Sequence, residues 1–244
     1  MRQMKAWGVT DTGKVRQQNQ DAYYFHVGEQ EALVLVCDGM GGAKAGNIAS
    51  RMAAETFVSV VEQSEGQPAE RLNNGLETAN RAVFRTAIEN SDCFGMGTTL
   101  VAALVCGRLA HIINVGDSRA YYITEAGIRQ VTRDHSVVED MVARGDLTPE
   151  EARQHPRKNL ITRALGAEPH VRGDLFELDL EPGAALLLCS DGLSNQLSDQ
   201  EILYEVLHGG EHESCCQRLV DIVLGRGAPD NTTAVLLALD AKTE

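Results

Sequence analysis

The chain has no apolar run approaching the roughly 18 residues of a membrane-spanning helix. Its opening, Met1-Arg2-Gln3-Met4-Lys5, lacks the apolar stretch of a secretory leader. A soluble, cytoplasmic protein is therefore expected, with no membrane contact. No Pro/Gly/Ser linker, charge block, repeat or low-complexity tract interrupts the 244 residues. One domain over 1–244 is expected, and the 43% apolar content is enough to give it a substantial core. Basic charge is scarce: 22 Lys and Arg against 35 Asp and Glu leave a net charge of −13, which argues against nucleic acid and anionic lipid as partners. The six cysteines form no C-x-x-C, and Cys37, Cys106 and Cys189 sit in apolar runs, so reduced, packed thiols are expected. The adjacent Cys215 and Cys216 suggest no role.

Several catalytic signatures are missing too. No cysteine is followed six positions later by arginine, which removes the loop of a cysteine-nucleophile phosphatase. No Asp-x-Asp pair offers an aspartyl nucleophile, and no Gly-x-Ser-x-Gly elbow occurs. Gly8-x-x-x-x-Gly13-Lys14 ends in Val15 where a phosphate-cradling loop needs Ser or Thr, and no helical pattern follows. There is no EF-hand spacing, which disfavours a calcium-binding module. The histidines are scattered; His208 and His212 have ligand spacing but flank Gly209-Gly210, which spoils a helix. With no protein nucleophile in evidence, a metal-activated water is the natural candidate.

What is present is a set of aspartates at the edges of apolar runs. Ala32 to Cys37 ends in Asp38-Gly39, and Ala184 to Cys189 ends in Ser190-Asp191-Gly192. Leu109 to Val115 ends in Gly116-Asp117, and Asp230-Asn231 opens the run Thr232 to Leu239. Short apolar runs bounded by turn signals read as buried strands. Carboxylates gathered at strand ends repel one another unless a cation joins them, and hard divalent cations favour such oxygen ligands. The glycine after Asp38 and after Asp191 permits close backbone approach, so a main-chain carbonyl can also reach a metal. Arg16-Gln17-Gln18-Asn19-Gln20-Asp21 lies between two strand candidates and adds a fork of donors, Arg16, suited to phosphate.

The apolar patterning predicts strands near 4–10, 22–27, 32–37, 99–105, 109–115, 119–124, 172–179, 184–189 and 233–239. Helices are predicted over 46–63, 69–89, 199–207 (with Ser198 as N-cap) and 213–224. Many strands are joined by short turns and the helices come in consecutive pairs, which favours an α+β fold with helices outside two sheets. Residues 133–163 are polar and carry six basic side chains. They hold a helix-start signal, Thr148-Pro149-x-Glu151. This segment reads as an excursion that lies over a site, and His135 at its start is the histidine of interest.

Eight blocks, in order and over nearly the whole chain, resemble the metal-dependent Ser/Thr protein phosphatases of the type 2C (PPM) family in compact bacterial form. They are Val15 to Asp21, Cys37-Asp38-Gly39-Met40-Gly41-Gly42, Gly95-Met96-Gly97-Thr98-Thr99, Gly116 to Tyr121, Asp134-His135-Ser136, Arg163-Ala164-Leu165-Gly166, Ser190-Asp191-Gly192-Leu193 and Asp230-Asn231-Thr232-Thr233. The resemblance implies a central β-sandwich of two antiparallel sheets flanked by α-helix pairs. It implies two Mn2+ or Mg2+ ions, with Asp38 bridging, the Gly39 carbonyl on one ion, Asp191 and Asp230 on the other, and Asp21 in or next to this shell. A third, weaker ion would take Asp117 with Asp191, and residues 133–163 would be the family's flap. Arg16 would bind the phosphate of phosphoserine or phosphothreonine in protein substrates, a cognate Ser/Thr kinase among them, and a monomer is expected.

Two positions depart from the family's pattern. Gln20 stands where Glu is frequent, which is expected to weaken metal affinity and leaves open a catalytically silent, phosphoprotein-binding regulator. Met40 stands where animal members have His and cannot donate a proton, so the acid for the leaving group is unassigned, with a metal-bound water and a flap residue as the alternatives.

Overall fold

The computed structural model describes residues 4–240; residues 1–3 of the charged opening and 241–244 lie outside them. In chain order the elements are β1 (Met4–Asp11), β2 (Asp21–Val27), β3 (Glu31–Met40), α1 (Gly42–Gln63), α2 (Pro68–Glu89), β4 (Gly97–Thr98), β5 (Leu100–Cys106), β6 (Leu109–Val115), β7 (Arg119–Thr124) and β8 (Gly127–Gln130). They continue with α3 (Val137–Ala143), α4 (Pro149–Gln154), β9 (Asp174–Asp179), β10 (Ala185–Cys189), α5 (Asp191–Ser194), α6 (Asp199–His208), α7 (Cys215–Gly225) and β11 (Thr232–Leu239). No helix among the described residues is long and apolar enough to cross a membrane.

Side chains alternate across a strand, and here both faces are covered. In β3, Leu33, Leu35 and Cys37 pack against α1 and α2 residues such as Phe57, Leu72 and Leu76. Ala32, Val34 and Val36 turn the other way and meet Leu186, Leu188, Val235 and Leu237 of the second sheet. In β10 and β11, Leu187 and Leu236 face Ile202, Leu219 and Val223 of α6 and α7. Burial on both faces is why these strands read as unbroken apolar runs rather than alternating ones. The result is a four-layer α+β sandwich, helices outside two antiparallel sheets, as the sequence implied. One sheet has the order β1-β11-β10-β7-β8; the other has β2-β3-β5-β6-β9, with β4 pairing to β3.

Local signals set several boundaries. Pro68 opens α2, where a missing N–H costs nothing. Complete capping boxes start α4 (Thr148 with Glu151) and α6 (Ser198 with Glu201). The structure departs from the sequence expectation at β8, a four-residue hairpin partner of β7 whose side chains are mostly half-buried and so leave no apolar run. Helix α1 begins at Gly42, four residues earlier than the periodicity indicated. The last helix is split into a 3-10 turn over His212–Ser214 and α7. All six cysteines are free thiols, and only Cys106 is not fully buried.

Arg71 latches the first helix pair to its sheet. Its guanidinium donates to both oxygens of Glu31 at 2.8 Å, and also to the Val61 carbonyl at 2.9 and 3.1 Å. Arg71 is buried, so Arg71→Met leaves the buried Val61 carbonyl without the guanidinium donors, while the part-exposed Glu31 carboxylate turns to water. A loss of about 2–3 kcal/mol is expected, read as a Tm fall of about 5–8 °C. Arg71→Lys should recover only part, because an ammonium has no fork. A Tm change below about 1 °C on Arg71→Met would show the latch to be idle.

Candidate active site

The ends of the two sheets bring the sequence-predicted residues to one cleft of about 540 Å³. Asp38 and Gly39 close β3, Asp117 follows β6, Asp191 opens α5 after β10, and Asp230 precedes β11. All five line the cleft, as does Arg16 from the β1–β2 loop. Asp21, paired in register with Asp38 across β2 and β3, does not line it. It is buried beneath the floor, where one oxygen accepts from the hydroxyls of Ser190 (2.8 Å) and Thr233 (2.6 Å). Its other oxygen, Oδ1, is buried with no hydrogen-bond partner.

The backbone around each aspartate is tied down by groups that sequence reading left without roles. Thr98 and Thr99 hold Asp38 from both sides. The Thr99 N–H and the Thr98 hydroxyl donate to the Asp38 carbonyl, while the Asp38 N–H donates to the Thr99 hydroxyl, each at 2.9 Å. The Thr99 hydroxyl also bonds Ser118 at 2.7 Å, which joins this corner to the Asp117 turn. Asn231 fixes the Arg16 loop by donating to the carbonyls of Thr12 and Gln18 and accepting from the Gln20 N–H. A Cβ on Gly192 would run into the Asn231 carbonyl oxygen, and one on Gly39 would meet that of Gly46. The glycine after each aspartate is thus a close-approach residue. These supports lie inside the quoted blocks, but a hydroxyl or amide carries no periodicity that would announce its job.

His135 serves the same end. Its ring Nδ1 accepts from the Gly116 N–H (3.0 Å), and its backbone N–H donates to the Gly116 carbonyl (2.9 Å). Its Nε2 lies 3.2 Å from Asp174, so the proton is assigned to Nε2. Burial pushes its pKa down, keeping the ring neutral at pH 7. His135 therefore clamps the turn that presents Asp117.

The two unusual positions also find their places. Gln20 donates its amide to the Gly42 carbonyl at 2.6 Å, a bond an ionised Glu cannot make. Met40 lines the cleft, pairing through its backbone with Gly97. The segment 133–163 hangs on a narrow neck, where Ser136 bridges Ile161 and the Val137 N–H donates to the Leu160 carbonyl. It contributes Asn159 and Ile161 to the cleft wall, neither of them an acid.

The cleft is electrostatically strained. Lost hydration, followed by the charges of Asp21, Asp191, Asp117 and Asp230, holds the Asp38 pKa well above its ordinary value. Burial pushes Asp21 up to about 7, against the opposing Thr233 and Ser190 hydrogen bonds. Burial and then Asp191 and Asp134 push Asp117 up to about 8. Asp191 is raised by burial and by Asp230. Among the described residues, Arg16 is the only cationic side chain in the wall, and it donates to Asp230 at 2.8 Å. The sequence reading gave this guanidinium to phosphate; here its Nη2 is turned onto the nearest carboxylate.

Crowded, mutually raised carboxylates and an orphaned buried oxygen fit divalent cations. Among the described residues, however, no three acidic, His or Cys side chains close on one point as a single caged ion would require.

A model of the family described as Protein phosphatase 2C matches residues 12–225. The serine/threonine phosphatase stp of Listeria monocytogenes is 35% identical over 241 residues, covering 95% of this chain and 94% of that protein. The crystal structure of the serine/threonine phosphatase Stp1 from Staphylococcus aureus superposes with a TM-score of 0.91 at 38% identity, over 98% of this chain and 96% of that one. The catalytic domain of the serine/threonine protein phosphatase PstP, in complex with two manganese ions, gives a TM-score of 0.87 at 33% identity, over 97% and 98%.

Proposed function

The chain belongs to the protein phosphatase 2C family and is a serine/threonine protein phosphatase, and from that premise we propose how its own residues carry the reaction. Asp38, the Gly39 carbonyl, Asp191 and Asp230 would hold two divalent ions, Mn2+ or Mg2+, with Asp117 and Asp191 for a weaker third. When bound, such ions lower the pKa of a water and neutralise charge on the phosphoryl group. Asp21 acts from behind the floor, as a buried charge steadied by Ser190 and Thr233. Arg16, half-exposed at the rim, exchanges Asp230 for two oxygens of the substrate phosphate, a match for its planar fork.

Among the described residues, no side chain in the cleft wall is ionisable other than Arg16 and the carboxylates, which would be taken up by the ions, and Met40 cannot donate a proton. The departing seryl or threonyl oxygen is therefore protonated by water. Gln20 is committed to the Gly42 carbonyl and holds the cleft's wall. The protein is taken to work in the cytoplasm as a monomeric single domain over 1–244, with 133–163 as its flap, and to oppose a Ser/Thr kinase of the same cell.

One observation carries this reading: four carboxylates from separate strand ends, with one arginine, share a single cleft. The test is a phosphothreonine peptide offered with Mn2+ and with EDTA. Phosphate release is expected with the metal and none with the chelator. Arg16→Ala should lower kcat/KM about 10-fold or more, chiefly through KM. Tight peptide binding with no release in saturating Mn2+ would replace catalysis with a silent binding role.

A further inference from the structure

A second, smaller concavity of about 150 Å³ lies on the other side of the flap, between α3, α4 and residues 194–195. Asp117 and Asp191 line both spaces, so the two meet at those carboxylates. Residues 158–161 are the partition: Asn159 and Ile161 line the cleft, and Lys158 lines the smaller cavity. Ligand pockets for whole small molecules run to about 300–1,000 Å³. This one has room for a single head group.

The charge around it is uneven. Residues 133–163 hold six basic and six acidic side chains, so the whole deficit of −13 resides elsewhere in the chain. Within the flap, Arg133 pairs with Glu139, Arg144 with Asp146, and Arg163 with Asp174. Arg153 and Lys158, both lining the cavity, make no ion pair or side-chain hydrogen bond among the described residues. The acids that share the cavity are occupied. Asp134 is gripped by Arg119 at 2.7 Å and by Gln130 at 2.9 Å, and Glu139 is held by Arg133 at 3.1 Å. Asp117 and Asp191 look into the main cleft as well. Ser194, whose hydroxyl is buried without a partner, completes the lining. Two unpaired cations thus line a space next to the phosphate-hydrolysing cleft.

We propose that this cavity is a subsite for a second anionic group of the substrate, a carboxylate or a further phosphate within a few residues of the phosphoresidue being hydrolysed, read by Arg153 and Lys158. The inference rests on the phosphatase reading and adds a substrate preference to it. An arginine fork and a lysine ammonium each bind such a group by charge-assisted hydrogen bonds, stronger than neutral ones. In a protein of net charge −13, an acidic substrate is repelled by the chain as a whole, and the flap, with as many basic as acidic side chains, does not add to that repulsion.

The test compares phosphothreonine peptides carrying Glu, Gln or a second phosphothreonine at one to three residues on either side of the target, with Mn2+ and at low salt. At one or more positions, kcat/KM for the anionic peptides should exceed that for the Gln peptide about 10-fold. The Arg153→Gln/Lys158→Gln double variant should bring that ratio to about 1–2, each single variant giving an intermediate value. Whether Glu or phosphothreonine gives the larger ratio identifies which anion the subsite takes. A wild-type ratio near one at every position overturns the proposal, as does a ratio that survives in the double variant. Because each protein is its own reference, a general loss of activity does not mimic either result. Hydrolysis of neither the peptides nor p-nitrophenyl phosphate would overturn the phosphatase reading itself, and the subsite with it.

Discussion

Asp38→Asn is expected to abolish phosphate release, by about 1,000-fold or more, while raising the Tm of the metal-free protein. Asp38 is the carboxylate with the most acidic neighbours: Asp21, Asp191, Asp117 and Asp230 all act on it, and lost hydration adds to their effect. An amide keeps the shape and the backbone bonds to Thr98 and Thr99 but removes the charge at the centre of this crowd. Relieving that repulsion should raise the metal-free Tm by about 3–6 °C. The two halves of the result are read separately, by turnover of a phosphothreonine peptide and by thermal melting in EDTA. Full activity in Asp38→Asn would break the assignment of this residue to the metals. A lower Tm would mean that Asp38 is a structural carboxylate rather than a functional one held at a cost.

The metal-free protein should lose stability as the pH rises from 5 to 8, and Mn2+ should remove most of that slope. The direction follows from linkage. A carboxyl with a higher pKa in the folded chain than in the unfolded one costs nothing below about pH 4, where both states are protonated. Above that the unfolded state ionises first, and the penalty grows until the folded pKa is passed. Asp21 at about 7 and Asp117 at about 8 place this loss between roughly pH 4 and pH 8. Glu31 beside Arg71 and Glu201 beside Arg226, shifted the other way, add stability as pH rises through the acid range. His135, lowered by burial, adds some until the unfolded imidazole deprotonates at about 6.5, which offsets part of the loss in the window from roughly pH 5 to pH 8. Across it a Tm fall of about 5 °C or more is expected in EDTA. A flat profile in the chelated protein would falsify the crowding of the carboxylates.

The strands and the aspartates at their ends were legible because double-sided burial leaves a strand no choice of residue. Ala32 to Cys37 and Ala184 to Cys189 have nowhere polar to turn, so the first polar residue after each run marks where the sheet stops. Hence Asp38 and Asp191 could be placed at a sheet end before any coordinates. What surrounds them was not legible. Asn231 bonds residues more than 200 positions away, and Ser190 and Thr233 converge on Asp21 from opposite parts of the chain. No local pattern encodes such partners. Asp21 shares a block with Arg16 and looks equivalent to the cleft acids, yet, although it lies on the same sheet face as its partner Asp38, the hydroxyls of Ser190 and Thr233 hold its carboxylate under the floor. Strand β8 was missed for the opposite reason: half-buried on an edge, it carries no apolar signature.

The order β1-β11-β10 has a consequence for how this enzyme comes into being. The strand made first finds its only neighbour in that sheet in a strand made more than 220 residues later. A ribosome translating the chain at about 5–20 residues per second therefore holds β1 without its mate for tens of seconds. Throughout that interval Asp230 has not been made and Arg16 has no opposing wall. Loop closure over such a span is slow. A nascent chain of this kind emerges inert, and its reactive cleft comes together only as the last act of assembly.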